Sequence, residues 1–304
     1  MLKKHDGNEG VSFVIPSFNE EVGIEETIHK LQKTLQEISL PHEVIVVNDG
    51  SSDRTLELIR NIANIKIISH PVNVGYGASI KSGIRAASHV WIGIIDADGS
   101  YAPDDIPALI QEMRRGVCMA VGARQNIREH DSLLKGFLRN IFKKIINFTL
   151  RYNILDPNSG LRIFKKDVAL KFFPFLCDTF SFTTTLTVLA IGEAHFVTYV
   201  PIAYFPRKGK SKVKHFRDSL RTFQLIMAGI TFLNPMKFFM ILILCFGLFV
   251  CIPAVLLGLM GHLFAAQYYT GIGAVAFVLL GLGGLGDIIR ATRLIRETEK
   301  NEIF

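Results

Sequence analysis

The chain has 304 residues and a mass of 34.0 kDa, with a mean hydropathy of +0.31, a formal net charge of +7 and a pI near 9.2. That length holds a full α/β core and leaves material for a further element. The four cysteines have neither paired nor zinc-type spacing, which excludes a disulfide framework and a structural zinc site. Reduced thiols are expected.

Taken in order, MLKKHDGNEG lacks the apolar core of a signal peptide, so none is predicted. Val11 to Ile15 reads as a short strand broken by Pro16. The loop Ser17, Phe18, Asn19, Glu20 leads into an amphipathic helix from about Glu21 to Ile38. A strand at Glu43 to Val47, a polar turn, a helix from Arg54 to Ala63 and a strand at Ile65 to Ser69 follow. The next segment, PVNVGYGASIKSGIRAA, supplies a glycine-containing turn and a helix. The apolar run Val90 to Ile95 is a fourth strand, and Val117 to Ala123 a further one. Strands alternating with helices of ten or so residues predict a doubly wound, mostly parallel α/β sheet with right-handed crossovers.

The stretch with the most chemistry is WIGIIDADGSYAPDDI, Trp91 to Ile106. Asp96 and Asp98 stand two apart, so in an extended backbone both carboxylates point to one side of a strand's end. Open α/β sheets bind ligands at that edge, and paired carboxylates suit Mg2+ or Mn2+ shared with phosphate oxygens. The competing role for this stretch is a turn and helix cap ahead of Pro103. Asp49, at the end of the second strand, is equally suited to accept hydrogen bonds from a base or ribose and to cap a turn, whereas Asp53 fits a turn. Gly75 and Gly77 lack the G-x-G-x-x-G spacing of a dinucleotide fold, and there is no Walker A loop.

From Phe238 to Gly286 there is no Lys, Arg, Asp or Glu. One helix of that length would run roughly 70 Å, more than twice a hydrocarbon core of about 30 Å, so a hairpin of two transmembrane helices turning near Gly261 and His262 is predicted. Arg207, Lys208, Lys210, Lys212, Lys214, Arg217, Arg221 and Lys237 precede it, Arg290, Arg293, Arg296 and Lys300 follow it, and the connecting loop has neither Lys nor Arg. By the positive-inside rule the catalytic part and both termini are expected in the cytoplasm. The excess charge therefore points to anionic lipid rather than nucleic acid.

Seven blocks give a resemblance: VIPSFNEE, VVNDGSSDRT, NVGYGASIKSGI, IDADG, VGAR, DPNSGLRIF and RKGKSK. In this order they resemble family 2 glycosyltransferases, and more closely the polyprenyl-phosphate sugar synthases, of which dolichyl-phosphate mannose synthase is the best-known branch. The resemblance covers about residues 10 to 215. It implies a GT-A-type domain, with Pro16, Phe18, Glu20, Val47, Asp49 and Gly75 holding the nucleotide. Asp96 and Ala97 would line its ribose and phosphate end, and Asp98 would be the main ligand of Mg2+ or Mn2+. Two departures are visible: Ser100 stands where mannose synthases commonly carry a metal-binding Gln, and Phe18 lacks the phenolic hydroxyl often found there. Ser100 is carried as a further metal candidate, and the donor sugar stays open.

On the acceptor side, Ser132 to Leu150 has an apolar stripe edged by Lys135, Arg139 and Lys143, suited to a membrane interface or to an ordinary core-facing helix. The resemblance matches Arg139, then Lys143, to lipid phosphate. Arg124 at a strand end suits phosphate oxygens, and Ser159, Gly160 and Arg162 in the loop after Asp156 either offer hydroxyl, backbone N–H and guanidinium groups to phosphate or form a structural turn. RKGKSK is expected to act as a mobile lid over diphosphate, as a polybasic juxtamembrane segment, or as both, and by the resemblance Arg207 is a firmer match than Lys212. Asp96, Asp98, Arg124 and Arg207 are the catalytic set.

The expected organisation is a GT-A domain over residues 1–215, an interfacial helix over 216–237, a hairpin over 238–290 with helices at about 238–260 and 268–288, and a basic tail over 291–304. The expected activity is inverting transfer of one sugar from a nucleoside diphosphate sugar to polyprenyl (dolichyl or undecaprenyl) phosphate at the cytoplasmic membrane face. Its rivals are transfer to a hydroxyl of a lipid-linked glycan or other acceptor, and a non-catalytic binding protein of the same fold. The partners are thus nucleotide sugar, polyprenyl phosphate and the lipid bilayer, with no nucleic acid and with room for a homo-oligomer.

Overall fold

The computed structural model describes residues 10–125, 152, 154–179, 181–207 and 235–302. The chain divides into two compact units, Met1–Thr222 and Phe223–Phe304. The expected helix over 132–150 and residues 216–234 of the expected interfacial helix lie outside the described residues, as do Arg139, Lys143 and Lys212.

The first unit is built on a seven-stranded sheet. In chain order its strands are β1 (Val11–Ser17), β2 (His42–Asp49), β3 (Lys66–His70), β4 (Trp91–Ile94), β5 (Met119–Arg124), β6 (Arg162–Lys165) and β7 (Val197–Ile202). Their spatial order is β3-β2-β1-β4-β6-β5-β7, and every pairing is parallel except the two made by β6. All seven residues of β1 are buried because the strand is central and covered on both faces. Helix α1 (Ile24–Glu37) buries Ile24, Ile28, Leu31 and Leu35, the one face that a 3.6-residue period aligns. That face meets Phe13 and Ile15 of β1 in the main core, together with Leu109 and Met113 of a second helix, Ile106–Arg114. Each such side chain contributes about 1.5–3 kcal/mol when fully buried. Val14 points to the other face of the sheet, where Gly83 of the helix Tyr76–Ala86 packs against it.

Numbered in chain order, the helices of this unit are α1, α2 (Thr55–Arg60), α3 (Tyr76–Ala86), α4 (Ile106–Arg114), α5 (Lys166–Lys171) and α6 (Phe182–Gly192). Three features depart from the sequence expectation. Pro16 lies inside β1 instead of ending it. Val14 O accepts from Ile95 N on the β4 side, so position 16 would aim its N–H to that same side, beyond the last paired residue Ile94, and no ladder bond is lost there. Strand β6 is an antiparallel insertion: it starts at Arg162 opposite Ile94, the last residue of β4, and so enters the sheet at the edge where the parallel strands finish and runs back. Helix α6 is buried from Phe182 through Ile191, so its sequence has no polar face by which to recognise it.

The second unit contains α7 (Pro235–Phe246), a π-helical turn Gly247–Cys251, α8 (Ile252–Leu259) and α9 (Leu263–Glu302). Phe239–Leu259 and Leu263–Gly286 are 21 and 24 residues long with mean hydropathies of 3.0 and 1.7, long and apolar enough to cross a bilayer. Their outward side chains, among them Ile243, Leu244, Phe264 and Ile272, are large apolar groups at more than 60 % exposure, a surface that lipid rather than water would solvate. Phe249 lies in the π turn, where the regular carbonyl ladder is interrupted, and its carbonyl accepts from the Tyr269 hydroxyl at 2.8 Å. The turn between the helices falls at Gly261 and His262 as expected. The second helix begins earlier than predicted and carries the expected basic tail as part of one continuous helix, since no proline interrupts it.

Candidate active site

The parallel strands β1, β2 and β4 end at one edge of the sheet, and the loops leaving that edge are laced together. Asn19 N–H donates to Ser51 Oγ at 3.0 Å, Ser52 N–H to Asn19 Oδ1 at 2.8 Å, and Glu20 N–H to Thr55 Oγ1 at 2.8 Å. Asp53 is a turn residue: its Oδ1 accepts from Thr55 N–H and its Oδ2 from Glu21 N–H. Two blocks separated by some thirty residues thus form one wall. Pro16 and Val47 are buried in the sheet beneath it, while Phe18 and Glu20 are half-buried at its rim.

Asp49 is 2 % exposed, and its carboxylate braces the chain's own next loop. Val74 N–H and His70 Nδ1 donate to Oδ1 at 3.0 and 2.8 Å, and Gly75 N–H donates to Oδ2 at 2.8 Å. A carboxylate only accepts, so Nδ1 of His70 carries a proton, and Nε2 lies within hydrogen-bond distance of Ser82 Oγ, at 2.9 Å. Gly75 has φ +114°, and a Cβ there would lie 2.3 Å from the Asp178 carbonyl, so no other residue fits this bend.

Asp96 and Asp98 both occupy the loop after β4. Asp98 is 7 % exposed; its Oδ1 accepts from the Ser100 N–H and hydroxyl at 3.0 and 2.5 Å, and its Oδ2 lies 3.4 Å from Arg207 Nε. Arg207 Nη2 donates to Glu20 Oε1 at 3.0 Å, which joins the two ends of this unit's sequence at the site. Asp96 Oδ1 accepts from the Tyr76 hydroxyl at 2.8 Å. Burial, and then the neighbouring charge of Asp98, push the Asp96 carboxyl up to about 6, against the opposing pull of Tyr76, Arg124 and Arg207. Ala97 is buried, and its carbonyl accepts from Thr27 Oγ1 of α1 at 3.3 Å, which ties the loop to the helix.

The side of the site expected to meet acceptor phosphate is organised differently. Arg124, at the end of β5, makes a forked pair with Asp156: Nε to Oδ2 at 2.7 Å and Nη2 to Oδ1 at 2.9 Å, with its guanidinium 5.0 Å from the centre of the Tyr204 ring. Burial alone would raise the Asp156 carboxyl, but the hydrogen bonds and charge of Arg124 hold it below the usual carboxylate range. Arg162 is fully buried. Its guanidinium donates to Ser159 O, Pro157 O, Thr183 O and Thr187 Oγ1, so it fastens the 157–160 loop to α6. Ser159 is fully buried beside it and exchanges hydrogen bonds with Leu161. Arg162 and Ser159 were expected at the acceptor phosphate, and the structure puts both inside the fold. Arginine side chains are long enough to reach inward from a strand end, and here the carbonyls of a tight loop attract this one.

Tyr76, His70 and Tyr101 belong to this region and were not singled out from the sequence, whereas Gly160 was expected to offer its N–H to phosphate and instead donates it within the fold. Tyr101 Oη accepts from Gly160 N–H at 2.7 Å, and a Cβ on Gly160 would lie 2.2 Å from Asp96 Oδ2. The available signal was positional: Tyr76 follows the glycine of a conspicuous turn.

Among the described residues no group of three or more His, Cys, Asp or Glu side chains converges on one point. The donor set nevertheless fits Mg2+ or Mn2+. Two crowded carboxylates supply hard oxygen ligands, and Asp98 Oδ2 already faces a cationic group, Arg207 Nε, which is buried without a hydrogen-bond partner among the described residues. Few protein ligands is the usual arrangement for an ion that shares a substrate's phosphates. Ser100 stands behind Asp98, where its hydroxyl orients that carboxylate.

Comparison with known proteins agrees with this architecture. The chain is 28% identical over 222 residues to a dolichyl-phosphate beta-glucosyltransferase of Trichomonas vaginalis, covering 67% of this chain and 66% of that protein. It is 28% identical over 223 residues to the dolichol-phosphate mannosyltransferase of Pyrococcus furiosus, covering 67% and 59%. The matches thus span less than two thirds of the length of these relatives. Glucosyl-3-phosphoglycerate synthase of Mycobacterium tuberculosis, solved with Mn2+, UDP and glucosyl-3-phosphoglycerate, shares the GT-A-like fold at a TM-score of 0.54, with 20% identity over 73% of this chain and 79% of that one. The family model for glycosyl transferase family 2 matches residues 12–173, from the start of β1 past the end of α5. With the loops after β1, β2 and β4, the aspartate pair and more than half its length inside that match, this chain belongs to glycosyl transferase family 2.

Proposed function

We propose that the protein is an inverting glycosyltransferase that moves a single sugar from a nucleoside diphosphate sugar to a polyprenyl phosphate, dolichyl or undecaprenyl, at the cytoplasmic face of a membrane. The donor lies along the edge formed by the loops after β1, β2 and β4, with Phe18, Glu20, Asp49 and Gly75 around the nucleotide and Asp96, Ala97 and Asp98 at its diphosphate. Asp98 and Asp96 would hold Mg2+ or Mn2+, which when bound supplies positive charge for the leaving diphosphate. Arg207 carries charge to the same place and, like Lys212, comes from the basic segment that precedes the hairpin. The hairpin anchors the enzyme in the bilayer that contains its acceptor, and the basic residues at both its ends favour a cytoplasmic site.

The observation that favours this acceptor over a hydroxyl is the state of Asp156, the carboxylate paired with Arg124 at the sheet edge. A sugar hydroxyl needs a carboxylate to take its proton, whereas a phosphate monoester is already anionic and attacks directly. Both oxygens of Asp156 are bound by Arg124, and the carboxyl is held below its usual range, which makes it a poor proton acceptor. Arg124, Arg139 and Lys143 are the candidate contacts of the acceptor phosphate, Arg124 by way of whatever its pairing with Asp156 leaves available. The names of the relatives, which specify dolichyl or dolichol phosphate, support the same acceptor class.

The test uses purified full-length protein with dolichyl or undecaprenyl phosphate, Mg2+ or Mn2+, and a panel of labelled nucleotide sugars. Label is expected in an organic-extractable product that mild acid cleaves. Release of free sugar alone, with every lipid tried, would overturn the assignment. Transfer to a glycan hydroxyl with an essential carboxylate base would replace it with the rival acceptor class.

A further inference from the structure

The hydroxyl of Tyr76 has a definite place in the site that the donor and acceptor roles above leave unused. Tyr76 is the first residue of α3 and follows Gly75, whose backbone is held on two sides: its N–H donates to Asp49 Oδ2 at 2.8 Å, and its Cα approaches the Asp178 carbonyl so closely that a Cβ would stand 2.3 Å from it. With the start of α3 fixed in this way, the Tyr76 hydroxyl donates to Asp96 Oδ1 at 2.8 Å. On the other side of the same carboxylate, Gly160 abuts Oδ2, and its own N–H is held by the hydroxyl of buried Tyr101 at 2.7 Å. One oxygen of Asp96 is therefore oriented by a phenol and the other confined by a backbone. Asp98 is oriented separately, through the Ser100 N–H and hydroxyl on its Oδ1.

We propose that Tyr76 is a positioning residue of the cation site, acting through Asp96: its hydroxyl fixes the rotation of that carboxylate so that Asp96 and Asp98 serve one divalent ion together. This rests on the assignment of Asp96 and Asp98 as the metal pair. A carboxylate beside another of like charge tends to turn away from it, and a hydrogen bond from a fixed neutral donor opposes that rotation at no cost in net charge. The adjacent residues Gly75 and Tyr76 also join the two ends of the donor site, since one binds Asp49 and the other Asp96. A loop that braces the nucleotide side thereby sets the orientation of a metal ligand.

The test is Mn2+ binding to the full-length protein, followed by electron paramagnetic resonance of the free ion, with and without UDP or GDP. Wild type, Tyr76→Phe, Asp96→Ala and the double variant form a cycle. Tyr76→Phe removes one oxygen, and it is expected to weaken Mn2+ binding about tenfold. The same variant should raise the Mn2+ concentration for half-maximal turnover by a similar factor, a loss that excess Mn2+ recovers. In the Asp96→Ala background the further change should be less than twofold, because the hydroxyl then has no carboxylate to orient. Gly160→Ala, which presses on the same carboxylate from the opposite side, should also weaken Mn2+ binding, and it serves if Tyr76→Phe lowers the unfolding midpoint. Wild-type Mn2+ affinity in Tyr76→Phe, or a tenfold loss that persists without Asp96, would overturn the role. A wild type that binds no Mn2+ with or without nucleotide would overturn the metal assignment on which it depends.

Discussion

Two carboxylate centres lie at the same edge of the sheet and are treated in opposite ways. At Asp96 and Asp98, like charges are crowded together, and the cationic group nearest Asp98 stands at 3.4 Å. At Asp156, one arginine takes both oxygens at 2.7 and 2.9 Å, and its backbone N–H adds a third contact. Both centres are largely buried. Crowded anions in a low-dielectric pocket create a demand for positive charge that an incoming ion meets, whereas a complete ion pair has that demand already met and holds loops in place. Burial of charge alone does not distinguish a site from a brace, and the completeness of its partners does.

The largest expected effect follows from Asp98→Asn. The change replaces the proposed anionic ligand by a neutral amide and relieves repulsion with Asp96, so sugar transfer should fall at least about a thousandfold, about 4 kcal/mol of transition-state stabilisation, with the unfolding midpoint unchanged or raised. Turnover measured beside thermal unfolding checks both halves, and near-normal turnover would erase the contrast between the centres.

Asp156→Asn should do the reverse. Removing one partner of a buried pair leaves Arg124 without its counter-charge, at a cost of about 3–5 kcal/mol in stability, read by denaturant unfolding in detergent. If stability is untouched and turnover vanishes together with the ascending limb of the pH–rate profile, Asp156 is a base and the acceptor is a hydroxyl.

Arg124→Lys keeps the charge but loses the fork. About tenfold in kcat/KM is expected, near 1.4 kcal/mol, together with a smaller loss of stability. An unchanged kcat/KM would show that the charge alone suffices there.

The smallest and most graded effect concerns acid. Folding lowers the Asp156 carboxyl below its unfolded value, so the pair contributes stability that is fully present above the ordinary carboxylate range and is lost as pH falls through the lower, folded value. The unfolding midpoint of the wild type should therefore drop on acidification more than that of Asp156→Asn. Parallel curves would mean that the pair carries no such linkage.

The legibility of these features in the sequence follows from how far apart their parts lie. Asp96, Asp98 and Ser100 sit within five residues, so they stood out locally, although both aspartates lie in the loop after β4 and not in a strand with its period of two. Tyr76 and Asp96 are 20 residues apart, Arg124 and Asp156 are 32 apart, and Arg207 and Glu20 are 187 apart. No local pattern announces such pairs. Arg162 shows the limit most clearly: its residue type suits phosphate, and only the position of α6, with the carbonyl of Thr183 and the hydroxyl of Thr187, determines that it turns inward.

By itself the sequence determined what depends on neighbours along the chain. The alternation of apolar strands and amphipathic helices, the charge-free hairpin, the aspartate pair and the polar turns are all set by periodicity and local chemistry, which act over one or two turns of backbone. The tertiary structure alone decided the insertion of β6 against the direction of its neighbours, the burial of Arg162 and Ser159, the closure of Arg124 on Asp156 and the grip of Tyr76 on Asp96. Each of these depends on which surfaces meet when the sheet closes, and a buried polar group takes whatever partner that closure brings within hydrogen-bond reach.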